Sequence, residues 1–519
     1  MADPVLILHA LNRFGLGARP GDAARAAGDP RGFVAAQLAS ADSTALPVRL
    51  PTSAECYVQQ RQADMARERQ RAKAPLVAAP PANPQTPAVV MGPPLPPGPA
   101  LVPARGTPGP AALPPNASAM APATSPIVTG GMPVQPGASA PRLLPVPPPQ
   151  PPEQALFRAD AAARFTRLAT IEGGLVDRLV LFWSNHFCVS VAKGNQVRCM
   201  AGAFEREAIR PHVLGRFADM LKAVEQHPAM LFYLDNTQSV GPTSRAGQNG
   251  RRGLNENLAR EILELHTLGV DGGYTQGDVT SLARIITGWT VTSPDDDMLF
   301  GGRYTFAPSR HEPGDHALLG RVYKEAFTPA QGEAALANLA AHPSTARHVS
   351  RKLVRHFVAD VPPPALVDRL AKTYQETEGD LGQVVRTLIT APEAWAQAPT
   401  KMRSPQEFVI ALARAAGQAP DLGLALGAMA SVGQPLWQPP GPNGFPDSAS
   451  DWASPEGMAG RLDIAAQWGR LNGALDPKGL IDGLFGAAGS AETRQAVARA
   501  ESRQQGLAIL AMAPEFQRR

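Results

Sequence analysis

The sequence predicts a mostly all-α protein, a large multi-helix domain with long functional loops and a disordered proline-rich insertion. Apolar residues recur at helical spacing through most of the 519 residues, whereas strand-like alternation is scarce. At most a small hairpin is expected, from pieces such as 189–191 or 320–323. Gly-, Pro- and Asn/Asp-rich loops interrupt the helices, and loops that long in a compact domain are usually functional or disordered. These loops are 236–253, 290–328 and 431–455.

The first 74 residues are predicted to form an N-terminal helical segment that packs on the body of the protein. Asp3 is placed to cap a first helix that runs to Leu11, with Pro4 at its first position. A second helix is expected after Pro20-Gly21-Asp22, a third from 30 to about 38, and a fourth over 53–73. The main domain follows, 153–519, and its apolar spacing predicts helices throughout. They are 155–170, 174–187, 200–210, 212–225, 254–268, 276–288, 329–341, 344–358, 363–377, 380–391, 404–416, 456–472 and 491–512.

Residues 75–152 differ sharply in composition from the rest of the chain. They hold 26 of the 54 prolines, no aromatic residue, and only two charged residues, Arg105 and Arg142. A segment without bulky side chains or enough backbone donors has little with which to build a packed core. We therefore predict a disordered, partly polyproline II insertion that acts as a spacer, with partner binding through PxxP-like pieces as the alternative.

The overall charge argues against nucleic acid as a partner. Forty-nine Lys and Arg stand against 45 Asp and Glu, and no long basic run is present. Three cysteines, Cys56, Cys188 and Cys199, match no zinc or redox spacing, and Cys188 is expected to be a buried structural thiol. No signal peptide and no membrane-spanning segment is recognised, so a soluble, cytoplasmic protein is expected, with export by another route left open.

The most informative stretch is 254–289, which opens with a helix rich in ionisable side chains. Its apolar stripe, Leu258, Ile262 and Leu265, is narrow and has ionisable groups on both sides. Burying a charge without a partner is costly, so this helix is expected to face a polar network or a metal. The groups concerned are Glu256, Arg260, Glu261, Glu264 and His266.

The spacing within this helix supports two interpretations. Glu261 and Glu264, three residues apart, can present two carboxylates to one cation. His266 lies about 200° around the helix from Glu264, so it joins that ion only if the helix ends or tightens there. Glu256 and Arg260 form an i, i+4 ion pair of favourable orientation. The other interpretation is a buried Glu–Arg–Asn network that orders the following loop.

Three further residues are candidate metal ligands, because imidazoles and carboxylates from different helices often complete a transition-metal shell. They are His186, His227 and Glu205. Each also has a structural interpretation, as a core histidine or as part of an ion pair. The loop sequence HEPGDH (311–316) is a weaker alternative, because its Pro-Gly pair disfavours the helix that an HExxH zinc site needs.

The motifs of the commonest enzyme classes are missing: no GxSxG elbow, phosphate-binding P-loop, GxGxxG after a strand or CxxC pair is present. The first hypothesis is therefore a metal-dependent enzyme that uses one or two divalent ions. Arg260 would hold an anionic group of the substrate or fix a ligand carboxylate. The catalytic candidates are Glu256, Arg260 and Glu261, and the metal-ligand candidates are Glu261, Glu264, His266, His186, His227 and Glu205.

Segments spread over nearly the whole chain resemble a bacterial family known as domain of unknown function 1800. The matching pieces include LNRFGLGARPGD (11–22), LFWSNHFCVS (181–190), NENLAREILELHTLGV (255–270), RKLVRHFV (351–358) and PLWQPPGPNGFP (435–446). The proline-rich segment is not part of the pattern. The family commonly carries Gly-Trp-Pro where this chain has Gly444-Phe445-Pro446, which argues against a role that needs an indole there. From its prolines and aromatics, 435–452 is expected to be an ordered wall or lid.

The resemblance implies a second hypothesis, a non-catalytic binding or assembly protein. Genes of this family often lie beside those of a second family related to sulfatases and alkaline phosphatases. A phosphatase/sulfatase-like protein is therefore the expected partner, docked by the long loops and the proline-rich insertion. The two hypotheses differ in whether the purified protein holds a metal.

Overall fold

A computed structural model describes residues 3–39, 46, 48–73, 150–250, 252–295, 301–396 and 399–519. The predicted fold class is confirmed: helices dominate, and the strands of the described residues form two small antiparallel hairpins. The proline-rich insertion lies outside the described residues except for its last three positions, 150–152.

The N-terminal helices begin where the capping residues predict. Asp3 Oδ1 accepts a hydrogen bond from the Val5 amide at 2.9 Å, with Pro4 in the first turn. After α1 the chain continues in a π-helical turn, His9–Arg13. Helices of this segment contact helices of the main domain, α3 against α15 and α2 against α21. The helices are α1 (Pro4–Leu8), α2 (Asp22–Ala26), α3 (Pro30–Ala35), α4 (Ser53–Lys73), with α15 (Leu381–Thr390) and α21 (Pro477–Phe485) described below.

The first half of the main domain builds the largest hydrophobic core around Trp183, Phe187, Phe217 and Trp289, all 1 % exposed or less. Helix α5 packs against α7, and α13 against α14. The helices are α5 (Pro152–Thr170), α6 (Leu175–His186), α7 (Asn195–Phe204), α8 (Phe217–Glu225), α9 (Pro228–Tyr233), α10 (Asn257–Glu261), α11 (Gln276–Ile285), α12 (Ala330–Ala340), α13 (Pro343–Phe357), α14 (Pro364–Glu376), α15 and α16 (Glu393–Ala396).

The C-terminal helices form a second core with α1 and α2, and α17 and α18 form a third with α5. Helix α17 begins with a capping box in which Ser404 and Glu407 exchange hydrogen bonds. The helices are α17 (Pro405–Ala416), α18 (Leu422–Ser431), α19 (Ala449–Trp452), α20 (Pro455–Leu471), α21, α22 (Ala491–Ala498), α23 (Arg503–Met512) and α24 (Pro514–Gln517).

Several predicted elements differ from the structure. The piece 189–191 is not a strand, whereas 320–323 contributes to the hairpin of β3 (His316–Leu318) and β4 (Arg321–Tyr323). The hairpin of β1 (Trp289–Val291) and β2 (Tyr304–Phe306) has strands of only three residues, too short for an alternating pattern to reveal. The helix predicted over 212–225 begins only at Phe217, and 491–512 is two helices, α22 and α23.

Candidate functional site

The ionisable helix predicted over 254–268 is not one regular α-helix. Helix α10 gives way to a π-helical turn, Ile262–His266, and such turns are frequent at functional sites. Gly269 then adopts φ 86°, and a Cβ there would approach His348 Nδ1 to 2.7 Å, so only glycine fits. The turn changes the angular relation of Glu261, Glu264 and His266 from that of an ideal helix.

The catalytic candidates Glu256 and Arg260 form a surface network. Arg260 Nη2 lies 3.2 Å from Glu256 Oε2, and the same carboxylate accepts from Gln276 at 2.8 Å and from Thr280 at 2.7 Å. The hydrogen bond from Thr280 is the main cause that lowers the pKa of Glu256. This network ties α10 to α11, but it lies at the surface and joins Gln276 and Thr280, whereas the structural interpretation expected a buried Glu–Arg–Asn network.

The three candidate ligands of the π-helical turn have separate surroundings. His266 Nδ1 lies 2.8 Å from Glu225 Oε1, and both side chains are buried. Glu264 accepts a hydrogen bond from the Tyr274 hydroxyl at 3.1 Å. Glu261 is half-buried and makes no hydrogen bond or ion pair with any described residue, and burial raises its pKa. Its charge also acts on Cys188, which lines the cavity described below.

The remaining candidate ligands are engaged with neighbours of their own. Glu205 Oε2 and Oε1 lie 2.9 and 3.0 Å from Arg164 Nε, in the buried core. His227 Nε2 lies 3.1 Å from Glu207 Oε2, while its Nδ1 accepts from a helix N-terminus. His186 Nε2 lies 3.2 Å from the His266 carbonyl. Within the described ranges, no group of three or more His, Cys, Asp or Glu side chains is arranged to hold a metal ion, and the metal site stays a prediction.

A cavity of about 370 Å³ opens between α6, α13, the start of α17 and the segment after α18. That volume is in the range of small-molecule sites. The segment 434–447, expected as a wall, forms one side of it. Gly444 has φ 79°, and a Cβ there would lie 2.5 Å from the Asn185 carbonyl. The Asn185 side chain in turn exchanges two hydrogen bonds with the Phe445 backbone, at 2.8 and 2.9 Å, and fixes this wall to α6.

A histidine–aspartate pair lies in the cavity wall. His356 Nδ1 is 3.0 Å from Asp447 Oδ2, and its Nε2 is buried with no hydrogen-bond partner among the described residues. Burial lowers the pKa of His356 to about 4, so the imidazole is neutral at pH 7. With Nδ1 donating to Asp447, the free Nε2 is the basic nitrogen.

Cations behind the wall keep Asp447 ionised. Arg519 Nη2 lies 2.9 Å from Asp447 Oδ1, and Lys401 Nζ lies 3.6 Å from the same oxygen. Although burial by itself raises the pKa of Asp447, the hydrogen bond from His356 and the charges of Arg519 and Lys401 hold it well below its usual range.

Arg519 also joins this pair to a second buried carboxylate. Its Nε lies 3.0 Å from Glu407 Oε2, and Arg178 Nη2 lies 2.6 Å from Glu407 Oε1. Burial raises the pKa of Glu407, but the charges of Arg519 and Arg178 outweigh it and the pKa falls to about 2. Both carboxylates of the site are therefore ionised at neutral pH.

A lysine and a cysteine also line the cavity. Lys352, one helical turn before His356, makes no hydrogen bond or ion pair within the described part of the chain, and burial lowers its pKa to about 8. Cys188 Sγ lies 3.2 Å from the Pro442 carbonyl, and burial raises its pKa to about 12, so this thiol stays protonated. The expectation that this thiol is buried is confirmed.

Of the ionisable and thiol side chains that line this cavity, the sequence had pointed only to His186 and Cys188, whereas the wall segment from 435 onward was expected from its prolines and aromatics. One signal was available: His348, Lys352 and His356 recur every four residues and share one face of α13. Asp447 and Arg519 carry no such signal, because they come from segments far along the chain.

The family model for proteins of unknown function, DUF1800, matches residues 9–518, nearly the entire chain. The chain belongs to the DUF1800 family. No curated protein and no solved structure matches it significantly. In the described part of this DUF1800 chain, no helix is both long and apolar enough to cross a membrane.

Proposed function

We propose that this cavity is the active site of an enzyme that acts on a small molecule and uses His356 as a general base. The observation that carries the proposal is the pairing of His356 Nδ1 with an ionised Asp447 on a residue that lines the cavity, while the buried Nε2 has no hydrogen-bond partner among the described residues. A neutral imidazole oriented by a carboxylate is a common arrangement for accepting a proton. A buried ring nitrogen without a hydrogen-bond partner lowers the stability of the fold.

The chemistry of the proposed step is a proton transfer. An O–H, N–H or C–H group of the substrate, or a water beside it, gives its proton to Nε2. The imidazolium that forms is stabilised by Asp447 at 3.0 Å, and Asp447 stays ionised because Arg519 and Lys401 neutralise it from behind. The proton returns to the product or to solvent when the site opens.

A substrate screen with matched variants tests this proposal. Purified full-length protein is incubated with a metabolite mixture, and depletion and product formation are followed by mass spectrometry. His356→Asn keeps a donor near the position of Nδ1 but removes Nε2, so we expect turnover to fall by roughly 10²–10⁴-fold. His212→Asn, a half-buried histidine outside the cavity, is the control and should behave as the wild type.

Two outcomes would overturn the proposal. Turnover by a folded His356→Asn variant at the wild-type rate would show that Nε2 takes no part. A wild type without any turnover across the screen would indicate a binding protein instead of an enzyme.

A metal-dependent reaction at α10 is the second candidate function. It is favoured by Glu261, whose half-buried carboxylate makes no hydrogen bond or ion pair with the described residues and whose raised pKa comes from burial. Elemental analysis of the untagged protein, before and after chelator treatment, tests it. Stoichiometric metal that is lost in a folded Glu261→Ala variant would support this candidate, and a metal-free protein that takes up no Fe, Mn or Zn would exclude it.

The partner related to phosphatases and sulfatases stays a prediction. Its test is co-purification of the two proteins from a shared expression strain, with the proline-rich segment 75–149 deleted in a parallel sample. Association that depends on that segment would support an assembly role.

A further inference from the structure

The cavity wall carries hydrogen-bond donors that lack a protein partner. The Lys352 ammonium makes no hydrogen bond or ion pair with the described residues. Arg355, three residues further along α13, is exposed and is likewise unpaired within the described ranges. Nη1 of Arg164, a side chain only 3 % exposed in all, and Nε1 of Trp437 are buried without described partners. Two cations on the wall therefore remain for a ligand, and two buried N–H groups of wall residues have no described partner.

The carboxylates of the same wall are already engaged. Glu407 is held by Arg178 at 2.6 Å and by Arg519 at 3.0 Å. Asp447 is held by the imidazole of the pair and by Arg519. Asp451 accepts hydrogen bonds from the backbone and side chain of Ser448 and closes the capping box of α19. Apart from Nε2 of His356, the unpaired groups named here are donors and cations, which need acceptors and negative charge from a ligand.

We infer that the cavity binds a small molecule through an anionic group, a carboxylate or a phosphate, held by Lys352 and Arg355 with Arg164 and Trp437 as further donors. The inference names the substrate class of the proposed function and rests on the same cavity. It does not depend on which group accepts the proton. Ammonium and guanidinium groups bind the oxygens of both anions, and burial strengthens that attraction.

The position of Trp437 supports a built site. Its backbone φ is 50°, a left-handed conformation that a bulky residue rarely adopts. The Trp437 carbonyl accepts from the Val191 amide at 2.9 Å, and the Arg164 guanidinium lies 5.6 Å from the centre of its ring. Strained residues of this kind cluster at ligand sites, where the surrounding structure compensates for the strain.

An anion would also improve the general base. Burial lowers the pKa of His356, and the charges of Arg519 and Arg178 lower it further. Negative charge from a ligand beside the imidazole raises that pKa towards neutrality. A base whose pKa lies near the working pH transfers protons most effectively.

Thermal unfolding of the full-length protein in increasing inorganic phosphate or, separately, acetate tests the inference at pH 7 and constant ionic strength. We expect the unfolding temperature of the wild type to rise with at least one of these anions and to saturate, as specific binding requires. The anion that gives the saturable rise identifies the group. In Lys352→Met the affinity should fall by roughly tenfold or more, leaving only the general salt effect.

Three variants make the result specific. Lys352→Arg keeps the charge and should keep most of the response, which separates loss of charge from loss of fold. Lys372→Met removes a lysine on α14 that is 74 % exposed and pairs with Glu376, and it should respond as the wild type. His356→Asn should also respond. Equal saturable responses of the wild type and Lys352→Met, or no response by the wild type to either anion, would overturn the inference.

Different experimental outcomes would contradict anion binding and the proposed chemistry. Turnover that depends on His356 without any anion response overturns anion binding alone. A saturable anion response in a protein without turnover supports the anion site and overturns only the proposed chemistry.

Discussion

Two helical regions of this protein are rich in ionisable residues, and they use them in opposite ways. In α10 and its π-helical turn, most charged side chains have partners: Glu256 with Arg260, and His266 with Glu225. In α13, Lys352 has no partner in the described ranges, and His356 keeps one ring nitrogen free. The first region resembled a site in sequence, whereas the second lines the cavity.

In these two regions, the density of ionisable groups is a weaker sign of function than their lack of partners. A paired carboxylate or imidazole recovers the cost of burial within the protein. A half-buried ammonium without a partner lowers stability and is retained where a ligand compensates for it. Glu261 is the member of the α10 region that shares this property with α13.

The largest effect is expected from breaking a buried pair in the first region. Glu225→Ala leaves His266 buried without its partner at 2.8 Å. We expect a loss of about 3 kcal/mol in the free energy of unfolding, measured by urea denaturation. Anion binding by the folded fraction should be unchanged. Glu376→Ala, at an exposed i, i+4 pair on α14, is the control and should change stability by less than about 0.5 kcal/mol. A loss at Glu225 as small as in this control would contradict a structural role for the pair.

Acid should destabilise the second region. Burial lowers the pKa of His348 and of His356 from 6.5 to about 4, so the unfolded chain binds protons that the folded chain excludes between these values. The free energy of unfolding should therefore fall as the pH drops from about 6.5 to 4, by roughly 2 kcal/mol or more. Urea denaturation across this range measures the slope, and His356→Asn should reduce it. A slope unchanged by that substitution would mean that His356 titrates normally.

Removing the unpaired lysine should stabilise the protein. At pH 7 the Lys352 ammonium is charged and half-buried, the charge of Arg355 disfavours it, and the charge of Asp447 favours it. Lys352→Met should raise the free energy of unfolding by about 1 kcal/mol, after allowance for solvent screening.

The pH dependence of the free energy of unfolding tests the prediction for Lys352→Met. The folded-state pKa of Lys352 is about 8 against 10.5 in the unfolded chain, so the wild type should gain stability between these values as pH rises. Lys352→Met should lack this gain. A variant that is less stable than the wild type at pH 7 would argue that Lys352 has a structural partner.

The smallest effect is expected at the surface pair of the first region. Arg260 is 41 % and Glu256 30 % exposed. Arg260→Ala should change the free energy of unfolding by less than about 0.5 kcal/mol and leave turnover unchanged, because exposed ion pairs contribute little. Loss of turnover in a folded Arg260→Ala variant would indicate that the active site lies at α10 and not at α13.

The helical class, the family and most boundaries of the predicted helices could be derived from the amino-acid sequence. Local rules suffice there: Asp3 and Ser404 cap helices within four residues of themselves, and apolar spacing marks the buried faces. The pairing of Glu256 with Arg260 was also readable, because i, i+4 neighbours meet on any helix.

The position of the cavity depends on contacts between residues far apart in the chain. His356 meets Asp447 across 91 residues, and Arg519 reaches the His356 carbonyl across 163. No local pattern encodes such contacts, since they depend on how α13, the wall segment and the C-terminal helices pack together. The same packing decided which charges found partners, pairing His266 with Glu225 across 41 residues and leaving Lys352 with none among the described residues. Composition and spacing give the charges, but burial and long-range contacts decide which of them remain free to act.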